Sequence, residues 1–211
     1  MSLLRSPSFT QFPWIGHGFG TRDDGYWTPP GQTAKLHQIH GANVVPVHAP
    51  GPHGDGDALI TATPALWLEI RTADCVPILI ADPVQRVVAA VHAGWRGTAA
   101  AISAHTVASL AEHWHSRPSD LLVAIGPSIG PCCFEVGDEV AARFPGHITR
   151  PSARFHVNLV SANHAQLARA GIPADNIATL GLCTVCNARQ FHSFRRDHSD
   201  GRMVSAIQVV S

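Results

Sequence analysis

Lysine is almost absent from this chain of 211 residues, with Lys35 the only one. No phosphate-cradling P-loop pattern is present, and Schiff-base chemistry has a single candidate. Charged residues amount to 14% and the formal net charge is zero. No basic excess steers the chain toward nucleic acid or an anionic membrane surface, so neither is expected as a partner. Apolar runs stay short of the roughly 18 residues that a spanning helix needs. The opening stretch "MSLLRSPSFTQFPWIGHGFGTR" lacks the basic start and apolar run of a secretory signal. The five cysteines are an odd number, with Cys132 and Cys133 adjacent. That is a poor disulfide framework, and it predicts free thiols in a reducing cytoplasm.

What is abundant is apolar. Hydrophobic residues make up 45% of the chain, enough for a substantial core and too many for disorder. No repeat, low-complexity tract or linker divides it, so a single domain over 1–211 is expected. Residues 1–35 read as short strands and loops. "ANVVPVHAP" (42–50) reads as a strand ended by proline, and "HAPGPHGDGD" (48–57) as a flexible loop. "DALIT" and "ALWLEIRT" read as strands, the second with Leu66, Leu68 and Ile70 alternating with Trp67, Glu69 and Arg71. Helical spacing of Ile102, Val107, Leu110, Ala111 and Trp114 predicts one helix capped by Thr98. "DLLVAIG" reads as a strand, "VGDEVAARF" as a short helix, and "NLVSANHAQLARAG" as a helix stopped by Gly171 with Pro173 beyond. "NIATLGLCTV" and "MVSAIQVV" are late strands. Several adjacent strands leave no room for a crossover helix, which favours α+β over a doubly wound parallel sheet.

The stretch "TADCVPILIADPVQRVVAAVHAGWRGT" (72–98) carries the first chemical signal. Two apolar strands flank Asp82-Pro83-Val84-Gln85, a sequence suited to a type I turn. If Asp82 faces Gln85, counting outward sets Cys75 opposite His92. Opposed residues share a face with Cβ atoms roughly 5 Å apart. A thiolate and an imidazole so placed can share a metal ion, at about 2.3 Å for sulfur and about 2.0 Å for nitrogen. A slip of one residue would send the two side chains to opposite faces, leaving a buried cysteine and a strand-end histidine. "LHQIHG" offers His37 or His40 as a third ligand, and spacing does not choose between them. A Cys/His/His set leaves a position open for water, the pattern of a catalytic zinc.

Other stretches have a chemical and a plain reading. In "GWRGT" the glycines and Arg96 open a helix and suit an anion, or simply form a tight turn around a solvated arginine. "GPSIGPCCFEVGDE" is a loop of the kind that lines sites, with Cys132 and Cys133 read as packing residues. Cys183 and Cys186 form a Cys-x-x-Cys with no second one to complete a zinc site, and are read as loop packing too. Arg195 and Arg196 form a basic pair able to reach an anionic substrate. Asp74 beside Cys75 could shuttle a proton, orient a ligand or cap a turn.

Together "HQIHG", "GDALIT", "TADCVPILIAD", "VHAGWRGT", "IGPSIGPCCFEVG", "CTVCN" and "FRRD" resemble one family, in order and over nearly the whole chain. It is known as the laccase-domain or polyphenol oxidase family, the peptidoglycan editing factor family and a family of purine nucleoside phosphorylases. The resemblance implies a layered α/β/β/α fold akin to deamidating toxins of the cytotoxic-necrotizing-factor type. It implies zinc held by His40, Cys75 and His92, with copper ranked second. Implied activities are phosphorolysis of adenosine, inosine and methylthioadenosine and deamination of adenosine, with purine nucleosides and phosphate as partners. Arg96, Arg195 and Arg196 are then the candidate substrate-binding residues, and Cys75, His92 and Asp74 the candidate catalytic ones. Two departures stand out: Asn158 where aspartate is common, and "FHSFRRD" in place of "FFSYRRD", which brings in His192 and removes a tyrosine hydroxyl.

Two other function classes remain open. In a cysteine amidase editing peptidoglycan precursors, Cys75 would be the nucleophile and His92 its base. A copper polyphenol oxidase needs several coppers and a set of paired His-x-His motifs, which this chain does not carry.

Overall fold

The computed structural model describes residues 3–22, 27, 29–149 and 154–210. Two mixed sheets dominate it. One is ordered β12 (Ile177–Thr179), β9 (Leu122–Ile125), β7 (Val76–Asp82), β8 (Val87–Ala93), β5 (Ala58–Thr61) and β3 (Val44–Pro46). The other is ordered β1 (Ile15–Phe19), β13 (Met203–Val209), β6 (Leu66–Thr72), β2 (Gln32–His37) and β4 (Gly51–Asp55). A two-stranded ribbon pairs β10 (Glu135–Val136) with β11 (Phe155–His156). Most neighbours run antiparallel, but β2 is parallel to both β4 and β6, β3 to β5, and β12 to β9. This is the expected α+β class. The strand β4 lies inside the stretch read as a loop: its glycines and proline hide strand character that pairing with β2 supplies.

The sheets pack face to face. Leu66, Leu68 and Ile70 from β6 meet Leu79, Ala81, Val88 and Ala90 from the other sheet in one buried cluster. The alternate residues of β7 and β8, such as Ile78, Ile80, Ala89 and Val91, turn to the opposite face and meet Ile102, Val107, Leu110 and Leu167. Those belong to α3 (Ile102–Trp114) and α5 (Leu159–Arg169), which cover the outer face of the six-stranded sheet. Every residue of β7 and β8 is therefore buried, which explains their unbroken apolar runs. Burying one such Leu or Ile contributes about 1.5–3 kcal/mol. Trp67, Val204 and Ala206 form a small cluster with Trp27, away from that interface. The described elements thus form a mixed α+β fold of two packed sheets, with α3 and α5 on the outer face of the six-stranded one.

Two local details differ from expectation. The helix predicted from Thr98 to Trp114 is two helices, α2 (Trp95–Ala99) and α3, broken where Ala101 takes φ +58°. Thr98 is not a cap. It lies buried within α2, where its hydroxyl accepts from Asn163 Nδ2 at 3.0 Å. The β7–β8 hairpin is closed by four residues rather than two. Asp82 Oδ1 accepts from the amides of Val84 (2.8 Å) and Gln85 (3.0 Å), and Arg86 turns the chain with φ +51°. Asn158 caps α5, accepting from the Ser161 amide at 2.9 Å, and Gly171 ends that region with φ +100°. An asparagine serves as well as an aspartate at such a cap. That accounts for one departure from the family pattern.

Candidate metal centre

The register of the hairpin is shifted by two residues from the predicted one. Pro77 faces His92, and Val76 faces Ala93. A shift of two preserves side-chain parity, so Cys75, just before β7, still shares a face with His92 as its diagonal neighbour. Continuing the register sets Cys75 beside Gly94. The absence of a side chain there matters, because a Cβ on Gly94 would lie 3.0 Å from Cys75 Sγ and 3.2 Å from His40 Cδ2.

His40 joins the pair from the loop after β2, held in the left-handed region at φ +59°. The ligand atoms of His40, Cys75 and His92 all lie within 4.8 Å of one another. The two imidazoles meet edge-on, with centroids 4.8 Å apart. His37 stays apart and exposed, bonded through Nδ1 to Asp55 at 2.8 Å.

Asp57 organises this cluster, and sequence reasoning did not single it out. His92 Nδ1 donates to Asp57 Oδ1 at 2.7 Å, which leaves Nε2 for a ligand. The amides of His40 and Gly41 donate to the same carboxylate at 2.9 and 2.6 Å. One buried aspartate thus fixes the tautomer of one histidine and the backbone of the other, the usual support behind a metal-bound imidazole. The available signal was an acid opening the apolar run "DALIT".

Burial alone would raise the Cys75 thiol, but hydrogen bonds with His40 and His92 outweigh it and bring the pKa to about 7. Burial would lower His92, and the bonds to Asp57 and Cys75 instead lift it to about 9. Burial likewise opposes the ionised Asp57, and the His92 bond with the Gly41 and His40 amides holds it below the usual carboxylate range. The ligand set fits zinc: a thiolate and two imidazoles, close enough to meet one ion, with a fixed tautomer.

The cluster lies on the wall of a cavity of about 640 Å³ where the two sheets part. Leu36 and Arg71 line it from the five-stranded sheet, and Trp95, Phe134, Phe194 and Arg195 from loops and short helices. The other departure from the family pattern therefore sets Phe194, with no hydroxyl, in the cavity wall. The candidate arginines separate. Arg195 lines the cavity, with its guanidinium 5.4 Å from the Phe134 ring centre and bonded to the Glu135 carbonyl at 2.9 Å. Arg96 is exposed outside the lining, its guanidinium 4.4 Å from the Trp95 ring centre. Arg196 turns away. It donates to the carbonyls of Thr184, Val185 and Phe191 and pairs with Asp197, stapling the loop that precedes α6 (Phe194–Asp197). Asp74 lines the cavity with both oxygens engaged: Oδ1 by the Thr184 hydroxyl at 2.6 Å and Oδ2 by the Arg195 amide at 2.7 Å. Its structural part is to tie three loops together at φ +86°.

The two cysteine stretches read as loop packing also meet. Cys132, Cys133, Cys183 and Cys186 bring their sulfurs within 4.8 Å of one another, with Cys132 and Cys186 exposed. The loops that carry them therefore pack against each other with Cys133 and Cys183 partly buried, and the four sulfurs form a group of metal-ligating type. All five thiols are free. One His-x-His occurs, His113-Trp114-His115 at the end of α3, outside the cavity lining. No helix is long and apolar enough to cross a membrane among the described residues.

Comparison with known proteins gives a consistent relation. A family model described as "Multi-copper polyphenol oxidoreductase laccase" matches residues 25–210. A purine nucleoside phosphorylase of Deinococcus radiodurans is 41% identical over 180 residues, 82% of this chain and 69% of that one. A protein named adenosine deaminase RL5, from an unknown prokaryotic organism, is 38% identical over 149 residues, 66% of this chain and 56% of that one. The crystal structure of YlmD from Geobacillus stearothermophilus superposes with a TM-score of 0.89 at 29% identity, covering 100% of this chain and 97% of that one.

Proposed function

The chain belongs to the family described as multi-copper polyphenol oxidoreductase laccase, and from that premise we propose that it is a zinc enzyme acting on purine nucleosides rather than an oxidase of phenols. The observation that carries the reading is the His40–Cys75–His92 cluster, backed by Asp57, on the wall of the 640 Å³ cavity. When bound, zinc supplies Lewis acidity at a position open to substrate or water. The relatives named purine nucleoside phosphorylase and adenosine deaminase support phosphorolysis of purine nucleosides and deamination of adenosine as the reactions, and adenosine, inosine and methylthioadenosine are our candidate nucleosides for the first.

The chain's own residues divide the work by position. Trp95, Phe134 and Phe194 offer flat apolar faces to a purine. Arg195 offers a planar fork to phosphate. Asp57 keeps His92 oriented, and Asp74 holds the Arg195 backbone in place. A site of one thiolate and two histidines, with the chain's single His-x-His elsewhere, does not supply the ligand sets of several coppers.

Incubation of the purified, zinc-loaded protein with a nucleoside panel, with and without phosphate, tests the reading. Phosphate-dependent release of adenine and hypoxanthine, and inosine formed from adenosine without phosphate, are expected. Absence of both sinks it.

A second reading rests on the order Cys75, His92, Asp57, which is nucleophile, base and orienting acid of a cysteine amidase on cell-wall peptides. Chelation separates the two: the zinc enzyme loses activity until zinc is restored, whereas a cysteine amidase keeps it.

A further inference from the structure

Four of the five cysteines converge at a second place, away from the nucleoside cavity. Cys132 and Cys133 come from the loop after β9, and Cys183 and Cys186 from the turn after β12. Cys186 Sγ lies 3.5 Å from Cys132 Sγ and 3.5 Å from Cys133 Sγ, and all four sulfurs lie within 4.8 Å of one another. Four thiolates at about 2.3 Å from one zinc stand about 3.8 Å apart at the corners of a tetrahedron. The two Cys186 spacings, 3.5 Å each, lie close to that edge, and none of the others exceeds 4.8 Å.

We propose that Cys132, Cys133, Cys183 and Cys186 hold a second zinc ion in a closed tetrathiolate site whose role is structural. Adjacent cysteines are an unusual half-site, and the local backbone accommodates them. The Gly130 amide donates to Cys183 Sγ at 3.3 Å, as amides do to metal-bound thiolates. A Cβ on Gly130 would lie 3.2 Å from Cys132 Sγ and 3.3 Å from Cys183 Cβ, so glycine is what lets the two loops close on each other. Both the Asn187 amide and its side chain bond to the Cys183 carbonyl, at 3.1 and 2.8 Å, and shape the Cys-x-x-Cys turn. Four sulfurs with no nitrogen or oxygen ligand suit a soft ion, and a set of four cysteines is a common ligand set of structural zinc, which needs no redox partner.

The position gives the ion its purpose. Thr184, next to Cys183, bonds to Asp74, and the Ile129 amide bonds to the Asp74 carbonyl at 2.9 Å. Phe134, next to Cys133, is a wall of the cavity. The second zinc therefore rivets the two loops that hold Asp74, Phe134 and Arg195 beside the first.

Elemental analysis of protein purified anaerobically and loaded with zinc should give two zinc ions per chain. Cys75→Ala should keep one, and the double variant Cys132→Ser with Cys186→Ser should keep the other. Because the double variant could misfold, alkylation of the unaltered protein provides an independent measure. Peptide mapping should find Cys132, Cys133, Cys183 and Cys186 protected with zinc and modified after chelation. Cobalt bound to Cys75→Ala should give an intense thiolate charge-transfer band. One zinc in the unaltered protein and none in Cys75→Ala would overturn the proposal, as would a disulfide within the cluster of anaerobic protein. If the unaltered protein holds a single zinc that survives Cys75→Ala, the tetrathiolate site stands and the metal assignment to His40, Cys75 and His92 fails.

Discussion

Gly94 stands beside Cys75, and a Cβ there would come within 3.0 Å of the Cys75 sulfur. Given that contact and the one to His40 Cδ2 at 3.2 Å, a methyl group would have to push both side chains aside by a few tenths of an ångström. Backbone strain is not the cause, because Gly94 has φ −68°, which alanine adopts freely. Gly94→Ala should fold with near-normal stability, yet bind zinc at the His40–Cys75–His92 site at least about tenfold more weakly, roughly 1.4 kcal/mol. Competition with a chromophoric chelator reads the affinity. Unchanged affinity would mean that the ligands move aside at no cost.

Asp57→Asn keeps the shape and an acceptor for His92 but removes the charge. Loss of an outer partner to a metal-bound histidine typically costs 10–100-fold in metal affinity or activity, and about that loss is expected here. The His92 pKa, lifted to about 9 by Asp57 and Cys75 once burial is outweighed, should fall in the metal-free variant. Titration of the imidazole by NMR checks this second readout. A drop in stability without either change would make Asp57 a purely structural residue.

Arg195 and Arg96 should behave differently toward phosphate. Arg195 lines the cavity, whereas Arg96 lies outside its lining. Removing one charged hydrogen-bonding partner is worth roughly 1.5–3 kcal/mol, about a ten- to hundredfold change. Arg195→Ala should raise the phosphate KM of nucleoside cleavage by that factor and leave phosphate-free deamination much less affected. Arg96→Ala should change neither by more than about twofold, the scale of a solvated surface position. The reverse pattern would return the phosphate seat to the start of α2.

His17 should make the protein acid-sensitive. It is fully buried, its Nε2 accepts from the Ser6 amide at 2.9 Å, and Nδ1 has no partner among the described residues. Burial, with help from the Arg5 charge, lowers its pKa from 6.5 to about 4. Between those values the unfolded chain binds a proton that the folded chain refuses. Stability from this group is thus unaffected above pH about 6.5 and falls as pH drops, by about 3 kcal/mol at pH 4. His17→Gln retains an acceptor for Ser6 without a titrating ring. Urea midpoints measured from pH 7 to 4.5 should decline less steeply in the variant, and equal slopes would exclude His17 as the cause.

Much of the site was legible in the residues, and the reasons it was only partly so are specific. Period-2 alternation identified β6, and the unbroken apolar runs identified β7 and β8. Because both faces of β7 and β8 are buried and apolar, the hydrophobic pattern could not set their register. The Asp82 turn set it instead, with four loop residues where two were expected. The error of two residues left Cys75 and His92 on one face, so their shared site survived it. The His37-or-His40 question had no answer in spacing, since both follow β2 closely. The left-handed backbone at His40, pinned by Asp57, turns that imidazole toward Cys75.

By itself the sequence determined what is local: where apolar periodicity makes strands and helices, where Asn158 starts α5 and Gly171 ends it, and which residue types are available for chemistry. Tertiary structure decided what depends on chain closure over long distances. Asp57 and His92 are 35 residues apart, and Cys133 and Cys186 are 53 apart. Side chains so distant meet only because parallel and antiparallel pairing in two stacked sheets brings their loops to the same places. No period within the sequence encodes that meeting, since it is the sum of every strand register between the two residues.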